Sequence, residues 1–153
     1  MTLIFPLESQ MHNPPPDTAA HAPIDVQWVS GLAFEAGRPQ GPKVRIDGDA
    51  QTAPSPFDML LAAIAACSSV DVVTILRKQR TPVQALTVRV EANRVESIPR
   101  RLASANLHFS ITALGSTLEK ANRAVELSVT KYCSVRSSLS AETPVTWTVD
   151  LQE

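Results

Sequence analysis

Alternating apolar and polar residues mark the strands of this chain. From Ile24 to Trp28 every second residue is apolar, and Asp25 and Gln27 lie between them. A period of two is typical of a strand with one buried face. The same pattern predicts further strands around residues 32–34, 44–46, 86–92, 107–113 and 145–151.

A helical pattern begins at Ser55, which can cap the helix. Pro56 suits the first helical position, and Asp58 lies three residues after Ser55, as in a capping box. This spacing favours a capping role for Asp58 over an acid–base role. We predict a central helix over residues 55–80, ended before Pro82. Its first half is apolar on nearly every side, as in a helix buried in the middle of a domain.

A second helix is predicted over residues 116–133. Ser116 and Glu119 have the spacing of another capping box. Cys133 lies at or just beyond its last turn, and Ser134 could cap a short further turn through Ser138.

The predicted order is three strands, the long helix, two strands, the second helix and a last strand. This is an α+β fold, a mostly antiparallel sheet packed on two helices. The prolines concentrate near the start, so residues 1–23 are predicted to form a flexible leader and residues 24–153 a single domain.

Composition limits the function classes. The chain has 153 residues and a formal net charge of −1, which gives no reason to expect nucleic acid or an anionic membrane as a partner. The leader does not have the pattern of a signal peptide. The longest uninterrupted apolar run, residues 59–67, is shorter than the roughly 20 residues that span a bilayer. We therefore expect a cytoplasmic protein without membrane contact.

The chain contains two cysteines, Cys67 and Cys133, and no CxxC motif. The three histidines are not at metal-ligand spacing, so neither a metal nor another cofactor is expected. Burial in the apolar helix favours an inert Cys67, because free cysteine is among the most buried residue types. Polar residues around Cys133, at a helix end, predict a more accessible setting, in which a reactive and a structural role are equally compatible with the pattern.

Two motifs change this balance. The stretch "PSPFDMLLAAIAACSSVDVVTIL" (residues 54–76) and the stretch "KYCSVRSSL" (residues 131–139) together resemble the OsmC/Ohr family of thiol-dependent peroxidases. The resemblance extends from the first strand to Leu151, and the predicted order of elements agrees with it. Either motif alone is only moderately specific, whereas both cysteines in both contexts make a strong joint signal.

The resemblance implies two chains wrapped around each other as a homodimer. It implies that Cys67 attacks the O–O bond of a hydroperoxide, preferably an organic one, and becomes a sulfenic acid. Cys133 would then condense with it to a disulfide. The family re-reduces this disulfide with an external dithiol, often a lipoyl group on a protein.

A nucleophilic Cys67 needs a lowered pKa, because only the thiolate attacks. Cys67 lies too far along its helix for the helix dipole to help much. The family draws an arginine from a loop between early strands, and Arg38 is the nearest positional match, with Arg45 as the alternative. Phe57 stands where the characterised peroxidases carry a glutamate, which would make the substrate pocket more apolar.

Two other functions are compatible with the same residues. One is a non-catalytic protein that binds a hydrophobic small molecule on the same scaffold, which Phe57 would favour. The other is a structural or interaction role with two inert thiols, which would titrate near or above the free value of about 8.5.

Overall fold

The computed structural model describes residues 19–152, so most of the predicted leader, residues 1–18, lies outside the described part. The chain divides into two compact units, one up to Arg45 and one from Ile46 onward. Its elements, in chain order, are β1 (Asp25–Ser30), β2 (Ala33–Gly37), β3 (Val44–Asp47), α1 (Pro56–Lys78), β4 (Val83–Arg94), β5 (Leu102–Ala113), α2 (Leu118–Leu127), a π-helical turn (Ser128–Tyr132), α3 (Ser134–Ser137) and β6 (Val145–Gln152). The predicted α+β class and order of elements are confirmed.

The first unit is built on an antiparallel hairpin of β1 and β2. Asp25 pairs with Gly37, and Trp28 pairs with Phe34. Gly31 turns the chain with a φ of +52°, a region that favours glycine. The indole N–H of Trp28 donates to the carbonyl of Gly31 at 2.9 Å and closes the turn. β3 is the third strand of this sheet.

The sheet of the second unit has the order β4-β5-β6 and is mixed. β4 and β5 form the predicted antiparallel pair, with Val88 opposite Phe109. β6 lies parallel to β5, with Val149 opposite Phe109, which the antiparallel prediction did not include. Parallel neighbours need a long crossover, and α2 and α3 supply it. The period of two shows which face of a strand is buried but not the direction of its neighbour.

The core of this unit lies between its sheet and its helices. α1 contributes one stripe of fully buried residues, at every fourth position. The main buried side chains are Ile64, Val72 and Leu76 of α1, Leu107, Phe109 and Ile111 of β5, and Ala121, Ala124 and Val125 of α2. Val70 is 66% exposed on another side of α1. In the first half of α1, which was predicted to be buried in the middle of the domain, Ala62 and Ala66 are exposed and Ile64 is buried, so the described helix is fully buried along one stripe only.

The predicted start of α1 is confirmed in detail. The Ser55 hydroxyl accepts from the backbone N–H of Asp58 at 3.1 Å, and the Asp58 carboxylate accepts from the backbone N–H of Ser55 at 2.8 Å. Hydrogen bonds from the Ser55 hydroxyl and backbone hold the pKa of Asp58 below its ordinary value. The Asp58 side chain therefore caps the helix, as its spacing predicted.

The second helix is shorter than predicted. Ser116 belongs to the preceding turn, since its backbone N–H bonds to Ala113, and Thr117 caps the helix by accepting from Lys120 N–H at 3.3 Å. Regular α-helix ends at Leu127, and a π-helical turn carries the chain to Tyr132. The capping residue and the change of helix type depend on local hydrogen bonds that the apolar stripe does not reveal.

By length and composition alone, α1 is long and apolar enough to cross a membrane. We expected no membrane-spanning segment because the longest uninterrupted apolar run, residues 59–67, is short. The helix itself is longer than this run, because it continues through several polar residues. The core helix of a globular domain meets the same criterion. In the described chain α1 contacts β4 and α2.

Candidate functional site

The two cysteines lie where α1 meets the segment after α2. Cys67 is half-buried on α1, directly before the buried Ser68. Cys133 lies between the π-helical turn and α3 and is only 1% exposed, so the prediction of an accessible setting is wrong. Both thiols are free. The structure thus brings together two residues that are 66 positions apart in the sequence.

The π-helical turn positions Cys133. The backbone N–H of Cys133 donates to the carbonyl of Ser128 at 2.9 Å, five residues earlier. The buried Ser128 hydroxyl donates to the carbonyl of Ser68 at 2.8 Å and lies 3.4 Å from a carboxylate oxygen of Asp71. These bonds tie the turn to α1 at the level of Cys67. Single π-helical turns of this kind are frequent at functional sites.

Each sulfur atom contacts the element that carries the other. The Cys133 sulfur lies 3.9 Å from the carbonyl oxygen of Ile64 on α1. The Cys67 sulfur lies 3.8 Å from the hydroxyl oxygen of Ser134. The neighbouring Cys133 thiol also lowers the pKa of Cys67. This arrangement is suited to sulfur–sulfur chemistry between the two residues.

The environment favours ionisation of Cys67. Burial raises its pKa, but hydrogen bonds from the backbone N–H of Val135, the Cys133 thiol, and the hydroxyl and N–H of Ser134 outweigh it, so the pKa of Cys67 lies below its ordinary value. The first N–H groups of a helix have no partner within the helix and are free to serve a thiolate. The donors come from the start of α3, not from the start of the helix that carries Cys67.

The environment of Cys133 has the opposite effect. Burial raises the pKa of the Cys133 thiol, and the charge of the neighbouring Cys67 raises it further. Ser68 and the backbone N–H of Arg136 lower this pKa by less, so it stays above its ordinary value. The Arg136 N–H donates to the Cys133 sulfur at 3.3 Å, so Cys133 is the N-cap of α3, in place of the predicted Ser134. The pair is therefore asymmetric: the pKa of Cys67 is lowered and the pKa of Cys133 is raised, so Cys67 is the thiol that ionises more readily.

This asymmetry predicts different pH profiles for the two thiols. Alkylation of Cys67 should reach half of its maximal rate at a lower pH than alkylation of Cys133, because thiolate formation limits the reaction. Ser134→Ala should move the Cys67 midpoint upward, since one donor to the thiolate is lost. Iodoacetamide labelling, resolved by peptide mass analysis between pH 5 and 10, measures both midpoints.

Ser69→Ala is the matched control, because the Ser69 hydroxyl bonds to the carbonyl of Ala65 at 2.8 Å within α1. An unchanged Cys67 midpoint in Ser134→Ala would contradict the assignment of Ser134 as a donor to Cys67.

Phe57 lies in the first turn of α1, where the guanidinium of Arg94 stacks 4.2 Å from the centre of its ring. It helps to line a pocket of about 290 Å³, with Leu60, Leu102, Leu139 and two arginines, Arg100 and Arg101. Neither cysteine is among the residues that line this pocket. Phe57 therefore belongs to an apolar recess with cationic groups at its edge, and its predicted role in substrate binding stays a prediction.

The two candidate arginines belong to the first unit. Arg38 is exposed in the link between β2 and β3, where its carbonyl accepts from the Lys43 ammonium group at 2.6 Å and from the Gly41 N–H at 3.0 Å. Arg45 is exposed on β3. The predicted role of either arginine in activating Cys67 stays a prediction.

The sequence reasoning missed the serines of the site. Ser134 contacts the sulfur of Cys67, Ser128 ties the π-helical turn to α1, and Ser68 lies beside Cys133. A signal was present, because serine directly follows both cysteines, in "CSS" and "CS". Serine is common at such positions, so the pattern alone does not distinguish a serine that donates to a cysteine sulfur from one that caps a helix.

A family model and a sequence relative match most of this chain. The family model described as "OsmC-like protein" matches residues 47–148. Protein YhfA of Escherichia coli (strain K12) is 39% identical over 122 residues, which cover 79% of this chain and 91% of that protein.

Solved structures show the same fold at lower identity. An OsmC-like protein from Mycoplasma pneumoniae superposes with a TM-score of 0.76 at 15% identity, covering 89% of this chain and 100% of that one. The organic hydroperoxide resistance protein OhrB of Bacillus subtilis superposes with a TM-score of 0.58 at 17% identity, covering 86% and 98%. These two likenesses support the fold alone.

Proposed function

The chain belongs to the OsmC-like protein family, and from this membership and its paired thiols we propose that it reduces hydroperoxides. The observation that carries the proposal is the position of the two thiols: half-buried Cys67 contacts Ser134, the residue after Cys133, and buried Cys133 contacts the carbonyl of Ile64, three residues before Cys67. The pKa of Cys67 is lowered in this setting. A thiolate with an adjacent protonated thiol is the arrangement that a peroxidatic and a resolving cysteine require.

The first step is an attack of the Cys67 thiolate on the distal oxygen of the hydroperoxide. An S–O bond forms, the O–O bond breaks, and the alkoxide leaves as the alcohol after it takes a proton. In the second step the Cys133 sulfur attacks the Cys67 sulfenic acid. An S–S bond forms, the S–O bond breaks, and the hydroxide leaves as water. The peroxide is reduced by two electrons, and the two thiols are oxidised to a disulfide.

The cycle is completed by an external dithiol, which becomes a disulfide as the protein returns to its dithiol form. A lipoyl group on a protein has the required chemistry. No resident cofactor or metal takes part in these steps. We place the protein in the cytoplasm, where free thiols persist.

The functional unit in this proposal is a homodimer. Large apolar side chains lie exposed on two elements of the described chain. On β1 Val26 is 64% and Trp28 63% exposed, and on α1 Val70 is 66% and Val73 39% exposed. Apolar surface of this kind commonly marks a protein–protein contact. A second copy of this chain would cover it.

A second candidate function is the binding of a hydrophobic small molecule without turnover. The pocket beside Phe57 favours it, because its lining is mostly apolar and does not include the cysteines. Binding sites for small molecules are commonly apolar recesses with a few charged groups. An apolar ligand that still binds after both cysteines are changed to serine, with no peroxide consumption by the wild type, would select this function.

Mass analysis after one equivalent of organic hydroperoxide tests the leading proposal. The wild type is expected to form an intramolecular disulfide that joins Cys67 to Cys133, with cumene hydroperoxide as the probe. Ser69→Ala is expected to do the same. Two unmodified thiols after the peroxide is added, or a disulfide between two chains only, would contradict the proposed cycle.

A further inference from the structure

Ser68 has an unusual position for a polar side chain. It is fully buried in the stripe of α1 that faces the core. Its hydroxyl oxygen has no hydrogen-bond partner among the described residues. Buried hydroxyl groups in proteins are nearly always hydrogen-bonded, so an exception calls for a physical reason.

Other hydroxyl groups on α1 find a partner within the helix. Ser69 donates to the carbonyl of Ala65 and Thr74 to the carbonyl of Val70, both at 2.8 Å. The equivalent carbonyl for Ser68 is that of Ile64, and there the Cys133 sulfur lies 3.9 Å away instead. The Cys133 sulfur therefore contacts the carbonyl that the Ser68 hydroxyl would use within the helix, and the hydroxyl has no hydrogen bond in the dithiol state.

A charged Cys133 would need more donors than it has now. It is 1% exposed, and the backbone N–H of Arg136 reaches its sulfur at 3.3 Å. Burial raises the pKa of its thiol, whereas Ser68 lowers it. A buried thiolate without hydrogen-bond donors is strongly unfavourable. The unused hydroxyl of Ser68 is in a position to supply one.

We propose that the Ser68 hydroxyl donates a hydrogen bond to the Cys133 sulfur as it leaves from the Cys67–Cys133 disulfide. This inference rests on the proposed disulfide cycle. It assigns Ser68 to the reductive half of that cycle and leaves the attack on peroxide to Cys67.

The exposure of the two sulfurs determines which of them the external dithiol attacks. Cys67 is half-buried and Cys133 is buried, so a thiolate of the external dithiol attacks the Cys67 sulfur. A bond forms between the sulfur of the reductant and the sulfur of Cys67. The disulfide bond of the protein breaks, and Cys133 leaves with the electron pair. The second thiol of the reductant then displaces Cys67, and Cys133 takes a proton from solvent. Departure is faster when the leaving thiolate is stabilised.

Reduction of a preformed disulfide tests the inference without any peroxide. The disulfide is formed with diamide in the wild type, Ser68→Ala, Ser68→Thr and Ser69→Ala, and its reduction by dithiothreitol is followed by mass analysis. Ser68→Ala is expected to be reduced about three- to tenfold more slowly, because a donor to the leaving thiolate is lost. Ser68→Thr keeps the hydroxyl and should stay closer to the wild type than Ser68→Ala does, and Ser69→Ala should match the wild type.

A second measurement separates a hydrogen-bond donor from a packing residue. Alkylation of Cys133 in a Cys67→Ser background is followed against pH, with and without Ser68→Ala. Ser68→Ala is expected to raise the Cys133 midpoint, which a change of packing at constant burial would not do. Equal reduction rates and equal midpoints would overturn the role of Ser68 while leaving the peroxidase proposal intact. Failure of diamide to form the disulfide in the wild type would overturn both.

Discussion

Cys67→Ser is expected to lower the rate of hydroperoxide consumption on the order of a thousandfold or more, because the nucleophile that forms the covalent intermediate is lost. A serine hydroxyl at this position has no general base among its described contacts, since the nearby groups are donors that favour a thiolate. The fold should persist, because serine is smaller than cysteine and position 67 is only half-buried. The assay is steady-state consumption of cumene hydroperoxide with excess dithiothreitol, corrected for the direct reaction of the two reagents.

Ser69→Ala provides the control for this variant. It alters a neighbouring side chain on α1 whose hydroxyl bonds within the helix, and it should keep a rate close to that of the wild type. Circular dichroism would show that both variants are folded. Consumption by Cys67→Ser at the wild-type rate would show that the activity does not depend on this thiol, and the peroxidase proposal would be wrong.

Local features of the sequence were sufficient to predict the elements. Ser55, Pro56 and Asp58 define the start of α1 because a capping box uses only neighbouring residues. β4 and β5 were predicted because one face of each packs on the core and the alternation records that burial. At these positions the determinant lies within a few residues and the pattern predicts the structure, whereas the cap of α2 is Thr117 and not the predicted Ser116.

Other features depend on parts of the chain that are far apart. The parallel placement of β6 follows from the path through α2 and α3, which no period of two can show. The π-helical turn depends on a bond from Cys133 to Ser128 and on the contact of Ser128 with Ser68. The first of these bonds lies within the turn and the second is a tertiary contact, and the helical pattern of residues 116–133 is the same with or without them.

The site shows the same division. The resemblance identified Cys67 and Cys133, and the structure brings both to one place. Sequence reasoning required an arginine to lower the pKa of Cys67, because the start of its own helix is too far away. The role of an arginine stays a prediction, and the backbone N–H groups of Val135 and Ser134 are donors that lower the pKa of Cys67 in addition. Backbone donors have no signature in the sequence, so their contribution could not be predicted from residue types.

Cys133→Ser is expected to separate the first chemical step from the rest of the cycle. Serine is a strong N-cap, so it can replace the Cys133 sulfur as acceptor from the Arg136 N–H and preserve α3. Its hydroxyl can also replace the thiol as a donor to Cys67. Reaction with the first equivalent of peroxide should therefore stay within about threefold of the wild-type rate, because the thiolate of Cys67 is still stabilised.

The sulfenic acid in Cys133→Ser has no thiol to condense with. In excess peroxide Cys67 should advance to the sulfinic and sulfonic acids, and activity should be lost at least about tenfold faster than in the wild type, whose disulfide protects it. Mass analysis distinguishes the two fates, since added oxygen atoms replace the loss of two hydrogens. A variant that resists over-oxidation as well as the wild type would show that Cys133 does not resolve Cys67. The contact between the two thiols would then be one of packing, and the binding function would be favoured over turnover.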